Sequence, residues 1–177
     1  YLLPMTYFML TQTPLSMENF KLYAEEANKA FHTADHLVYV TYPVIHDPKL
    51  LTTILEQIHR ALRNGIAALL AFDAAYKRIS RFPETHQERI DIFRSVIVNR
   101  YGLDHELYYV AKEIDDLVEK RKRSPMEFSR KDKFVIASRT YRLQALSLQK
   151  MKQYIAHTKA FLEKMNGVMR AHDRRFS

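Results

Sequence analysis

Residues 54–72 read ILEQIHRALRNGIAALLAF, and their apolar positions recur every three to four residues. Extended outward, the same stripe takes in Leu51, Ile54, Leu55, Ile58, Ala61, Leu62, Ile66, Leu69, Leu70, Asp73 and Tyr76. Such spacing lines one face of an α-helix, because side chains three and four apart lie above one another on the helix surface. Asp47 and Pro48 precede it, and proline suits a helix start, where its missing N–H has no intrahelical partner to lose. A long central helix to about Ile79 follows, and so broad an apolar face needs other helices to cover it.

Upstream, Ser16 can cap a first helix through Phe20, Tyr23, Ala24, Ala27, Ala30, Phe31, Ala34, Leu37 and Val38. It is expected to stop before TYPVIHDP, where two prolines stand. Downstream, RFPET ends the central helix, and His86 to about Val98 reads as a short third one. YGLD breaks the chain again, and Asp104 is positioned to cap a fourth helix through Leu107, Tyr108, Val110, Ala111, Ile114, Leu117 and Val118. Asp115, Asp116 and Glu119 read as its exposed face. Beyond Pro125 the period changes. FSRKDKFVIASRTYRLQAL contains the β-favouring run FVI and the turn-like pairs KD and RT, which predict one or two short strands. Ser147 then caps a closing helix with Leu148, Met151, Ile155, Phe161, Leu162, Met165 and Met169 in register. The expected fold is all-α: an up-and-down bundle of about five helices with a short β or extended insertion before the last. Residues 1–15 are expected to form an extended arm, 16–169 one domain, and 170–177 a basic tail.

Composition agrees with this. With 47% hydrophobic and 27% charged residues over 177, the chain can bury one core without disulfides or a structural metal. There is no Cys, which excludes disulfides, thiolate metal sites and Cys nucleophiles and favours a cytoplasmic setting. The opening YLLPMTYFMLTQTPL has no cationic segment, is interrupted by Pro4 and Pro14 and is too short to span a bilayer, so no membrane association is expected. Gly-rich phosphate loops, nucleophile elbows and zinc-finger spacings are absent from the sequence.

The net charge of +8 is unevenly placed. Residues 119–142 hold nine Lys and Arg against three acids and residues 143–177 seven against two, whereas residues 1–118 hold 12 against 15. Lys120, Arg121, Lys122, Arg123, Arg130, Lys131, Lys133, Arg139 and Arg142 are therefore the candidate polyanion ligands, able to attract a phosphate backbone. Phe128, Phe134 and Tyr141 are interleaved with them, as base stacking beside phosphate contacts requires. The same spacing also suits a small sheet with one buried face, and the cluster could equally be a solvated connector.

YAEEANKAFHTADHL in the first helix, ILEQIHRALRNGIAALLAF in the second and PMEFSRKDKFVIAS before the closing helix resemble archaeal and bacterial HEPN-like helical bundles. The resemblance covers roughly residues 17–165 in helix order and texture. It implies a homodimer, nucleic-acid-linked roles that include toxin–antitoxin pairs, and, in many members, an endoribonuclease whose Arg and His are separated by four to six residues. Arg100 and His105 in RYGLDH match that spacing, as do Arg81 and His86 in RFPETH. There an imidazole would move the proton of a ribose hydroxyl while a guanidinium steadies charge on the phosphate. Active members place Asn, Asp or His after the Arg, whereas Tyr101 and Gly102 stand here. A noncatalytic interaction module, binding RNA or another acidic partner through its basic last third, is therefore expected ahead of a metal-independent endoribonuclease using Arg100 and His105.

A metal-binding bundle is the second alternative. His32 and His36, with Glu25 on the same face, and Glu56 with His59 have ligand-like spacing. A di-iron site would need a second Glu-x-x-His and two further carboxylates, which the remaining helices do not supply, so no metal or cofactor is expected. Tyr39, Tyr42, Tyr108 and Tyr109 are the aromatic residues expected at a dimer interface.

Overall fold

The computed structural model describes residues 13–174, so most of the expected N-terminal arm and the last residues of the expected tail lie outside the described residues. The described residues are 72% helical, with five helices and a small antiparallel sheet before the last helix.

Helix α1 runs Thr13–His36, beginning before Ser16, and does not stop at the prolines. It passes through a π turn, Leu37–Thr41, into a last turn, Tyr42–Ile45. In the π turn the Tyr42 N–H reaches back five residues to the Leu37 carbonyl. That wider turn loosens the ladder just where the Pro43 ring would collide with a carbonyl one turn back, so the helix survives its proline. His46, at φ 55°, ends it.

Helix α2 is Leu50–Ala75, preceded by a turn in which Asp47 Oδ1 accepts the Lys49 N–H at 2.9 Å. It stops short of Ile79 because Lys77 turns left-handed and the Arg78 N–H bonds the Asp73 carbonyl at 2.7 Å. Helix α3 comprises His86–Ile92, a π turn Phe93–Ile97, and Val98–Arg100. The Thr85 hydroxyl accepts the Glu88 N–H, and the Glu88 carboxylate accepts the Glu84 N–H, closing its N terminus. Helix α4 is Glu106–Arg123, with the Glu106 N–H on Asp104 Oδ1 as expected. Strands β1 (Met126–Arg130), β2 (Lys133–Ala137) and β3 (Leu143–Leu146) pair antiparallel in that order, one strand more than expected. Helix α5, Leu148–Asp173, is capped by Ser147 as expected and runs past Met169 into the expected tail.

Strict up-and-down alternation is not kept. Helices α1 and α2 are antiparallel, with Phe20 edge-on to Phe72 and Glu26 paired to Arg60. Helix α3, however, runs alongside α2 in the same direction. Arg100 meets Asp73, while His86 and His59 meet across Asp115, 14 residues earlier on each helix. The connection 76–85 returns along the bundle to allow this, spanning at most about 33 Å against about 21 Å of helix. Phe82 holds it down, stacked on Tyr23 at 5.7 Å beneath the Arg89 guanidinium.

Helix α2 is the core. Leu51, Ile54, Leu55, Ile58, Ala61, Leu69 and Leu70 are fully buried, as its stripe requires. Gly65 lets α5 approach closely, since a Cβ there would lie 2.6 Å from the Phe161 ring. The sheet sits at the end of the bundle where α1 and α4 finish, tied there by the Tyr42 hydroxyl donating to the Asp132 carbonyl at 3.3 Å.

Candidate nucleic-acid interface

The last turn of α4 carries four consecutive cations, and their positions around the helix separate them. Arg121 follows Leu117 and Val118 by four and three residues, so it turns toward the bundle and binds Glu56 and Glu127. Lys120, Lys122 and Arg123 face away. Ser124 ends the helix in extended conformation, and its hydroxyl donates to the Ala137 carbonyl at 2.7 Å, fixing the β1–β2 hairpin beside the helix end. The connection between β2 and β3 folds back over the same end of the sheet. There the Ser138 N–H donates to the Arg142 carbonyl (3.0 Å), and the Tyr141 N–H donates to the Ser138 carbonyl (2.9 Å).

The result is an open groove of about 1000 Å³ between the end of α4 and the β2–β3 connection. It is lined by Lys120, Lys122, Arg123, Ser124, Pro125, Ile136, Ser138, Arg139, Thr140, Arg142, Leu143 and Gln144. Five of the nine candidate cations meet in it, from stretches up to 22 residues apart, and no carboxylate is in its lining. Among the described residues, Lys120, Arg123, Arg139 and Arg142 are in no ion pair, and Lys122 has only an exposed one with Glu119.

The other four cations lie elsewhere. Arg130, Lys131 and Lys133 cluster at the far tip of the β1–β2 hairpin, and Arg121 faces a second cleft. The aromatic residues divide too. Phe134 is only 6% exposed and packs in the core, so it is a sheet residue and not a stacking surface. Phe128 is partly exposed on β1, and Tyr141 is 88% exposed.

The second cleft, about 510 Å³, is lined by Leu55, Glu56, His59, Arg63, Val118, Arg121, Lys122 and Glu127, and Lys122 stands between it and the groove. Behind it Asp115 takes Nε2 of His59 on one oxygen and Nε2 of His86 on the other, both at 2.6 Å. Burial alone would raise the Asp115 carboxyl, but the hydrogen bonds from both imidazoles outweigh it and hold the group well below the usual carboxylate range. An ionised carboxylate can only accept, so each imidazole donates its Nε2–H. Asp115 thus joins α2, α3 and α4 and is not the exposed residue its acidic neighbours suggested. Its spacing was the signal: four after Ala111 and three before Val118, it lies beside the apolar stripe.

Arg100 and His105 are not in contact with each other in the described hydrogen bonds. The Arg100 guanidinium binds Asp73, which is 0% exposed, and also donates to the Arg78 carbonyl at 3.3 Å. Tyr101 donates to the other Asp73 oxygen and accepts from Arg78 at 2.9 Å. Burial first, and the bond to Asp73 second, push the Tyr101 hydroxyl well above the usual tyrosine range. His105 is exposed at the start of α4. The second Arg–His pair is also divided, Arg81 binding Glu88 and His86 binding Asp115.

The ligand-like pairs are not gathered for a metal. His32 and His36 are exposed, and Glu56 and His59 are held by Arg121 and Asp115. Asp104, Glu106 and His157 do come within 4.8 Å of one another. Asp104 already accepts the Glu106 N–H at the positive end of α4, and Lys164 lines a cleft together with Asp104 and His157; both features oppose a cation there. No helix among the described residues is long and apolar enough to cross a membrane. No protein-family model, curated protein or solved structure matches the chain.

Proposed function

We propose that the protein is a noncatalytic, HEPN-like helical module that binds RNA in the groove between α4 and the β2–β3 connection. One observation carries this: five cations from separate stretches of chain surround a concavity with no carboxylate in its lining. Cations gathered in this way raise the local concentration of a polyanion, and each phosphate they neutralise releases counterions. A solvated connector has no reason to bring Arg139 and Arg142 back beside the end of α4.

The engagement of Arg100 with buried Asp73 favours the noncatalytic form over an endoribonuclease using Arg100 and His105. His105 also stands at the start of α4, whose far end borders the groove, about 27 Å away along this 18-residue helix. A homodimer belongs to the same proposal. It is supported by Tyr39, Val40, Val44 and Ile45, an exposed apolar patch at the end of α1, whereas Tyr42 and Tyr108 are buried in the monomer. Sedimentation at micromolar concentration tests the dimer, and a single 21.0 kDa species would overturn it.

The test of function is RNA binding by fluorescence anisotropy, with and without Arg123→Ala, Arg139→Ala and Arg142→Ala combined. Uniform weakening across RNA sequences is expected. Binding by the triple variant equal to that of the parent would contradict the groove. Incubation with RNA in EDTA should leave the RNA intact, whereas cleavage that disappears in His105→Ala would establish the endoribonuclease instead.

A further inference from the structure

Resting on the RNA-binding reading, we propose that the groove takes single-stranded nucleic acid specifically, with Tyr141 as the platform on which one unpaired base stacks. Tyr141 lies between two groove-lining residues, Thr140 and Arg142, yet its own ring is outside the lining and 88% exposed. It also occupies the left-handed region at φ 58°. Glycine or asparagine relieves such a conformation, and a bulky aromatic side chain does not. Packing does not account for tyrosine at this point, because the ring buries almost nothing.

The turn nevertheless holds the Tyr141 backbone in a defined place beside the groove. Ser138 anchors it from both sides: its carbonyl accepts the Tyr141 N–H, its hydroxyl accepts the Arg142 N–H at 3.1 Å, and it meets the Thr140 hydroxyl at 3.0 Å. A solvated aromatic face on an anchored turn, flanked by Arg139 and Arg142, is what a base needs when its phosphates are held by adjacent cations. The groove itself offers apolar surface from Pro125, Ile136 and Leu143 among its cations. That mixture suits a strand with bases splayed out. A duplex hides its base faces and would present only phosphates and groove edges to such a surface.

The experiment compares four probes on the full chain: a mixed-sequence single-stranded RNA, the same length of strand lacking bases, the duplex RNA, and inorganic polyphosphate. Tyr141→Ala should weaken binding of the single-stranded RNA roughly five- to hundredfold, the range expected for losing one stacked base. Binding of polyphosphate and the base-free strand should not change, and the salt slope should stay the same, because stacking releases no counterions. Tyr141→Phe keeps the π face and should bind as the parent does. If Tyr141→Ala binds single-stranded RNA as tightly as the parent while the triple arginine variant is weakened, the stacking proposal is overturned and the groove stands. Equal loss of polyphosphate and RNA in Tyr141→Ala would likewise overturn it. If the parent binds none of the four probes, the RNA-binding reading itself fails.

Discussion

Arg100 and Arg142 are the same residue type at opposite ends of one bundle, with opposite fates. At the end where α2 and α3 finish, the Arg100 guanidinium is bound to a carboxylate with no exposure, beside Tyr101 and Arg78. At the other end, Arg142 shares a groove with four more cations and no carboxylate. Between them stands Asp115, whose two oxygens hold His59 and His86. Basic charge in this molecule therefore does two different things. Where a buried acid is present it closes the structure, and where none is present it stays exposed to solvent.

The comparison can be broken first where the largest effect is expected. Arg100→Ala leaves Asp73 buried with a weaker set of partners, and should lower unfolding free energy by about 3 kcal/mol, since removing one member of a buried pair strands the other. Chemical denaturation measures it, and a loss under about 0.5 kcal/mol would mean that Arg100 is not structural. Asp115→Asn comes next, at about 2 kcal/mol for losing charge-assisted bonds to two imidazoles. This loss should depend on pH with a definite sign. The Asp115 carboxyl is depressed in the folded state, so its contribution is complete above the unfolded value of about 3.9 and fades as pH falls further. The stability gap between parent and Asp115→Asn should therefore narrow below about pH 4. A gap that stays constant from pH 5 to pH 2.5 would show that Asp115 is not held ionised by its partners. Arg121→Ala is the intermediate case. Its pairs with Glu56 and Glu127 are partly exposed, so about 1 kcal/mol is expected, with little change in RNA affinity. A large loss of RNA affinity would move the interface to the second cleft.

The helices were legible because their covering faces are written in residue spacing. Asp104 and Ser147 mark two starts as their side chains imply, and the stripe of α2 is buried as its period requires. The Thr85–Glu88 pair in THQE was an equally readable cap that the spacing of apolar residues overshadowed. Other features were not written locally. Pro43 reads as a breaker because residue spacing does not report the π turn that makes room for it. The direction of α3 is set by how far the connection 76–85 doubles back, which depends on Phe82 finding Tyr23. At the site, the sequence marked the basic stretch but not its sorting. Arg121 and Lys122 are neighbours in the chain, and only the turn of the helix sends one to Glu56 and the other to the groove. Phe134 and Tyr141 looked alike as interleaved aromatics until the sheet buried one and the Ser138 turn exposed the other.

The smallest expected effect on stability belongs to the groove, and it carries the most weight. Arg123, Arg139 and Arg142 are exposed and in no ion pair among the described residues, so replacing each with Ala should change unfolding free energy by no more than about 0.5 kcal/mol. The decisive measurement is the affinity of the parent and the triple variant for one single-stranded RNA across a salt series. The slope of log affinity against log salt should become shallower by about 0.7 for each phosphate contact removed, with the fold unchanged. An unchanged affinity and slope in the triple variant would contradict the claim that these cations are held open for RNA.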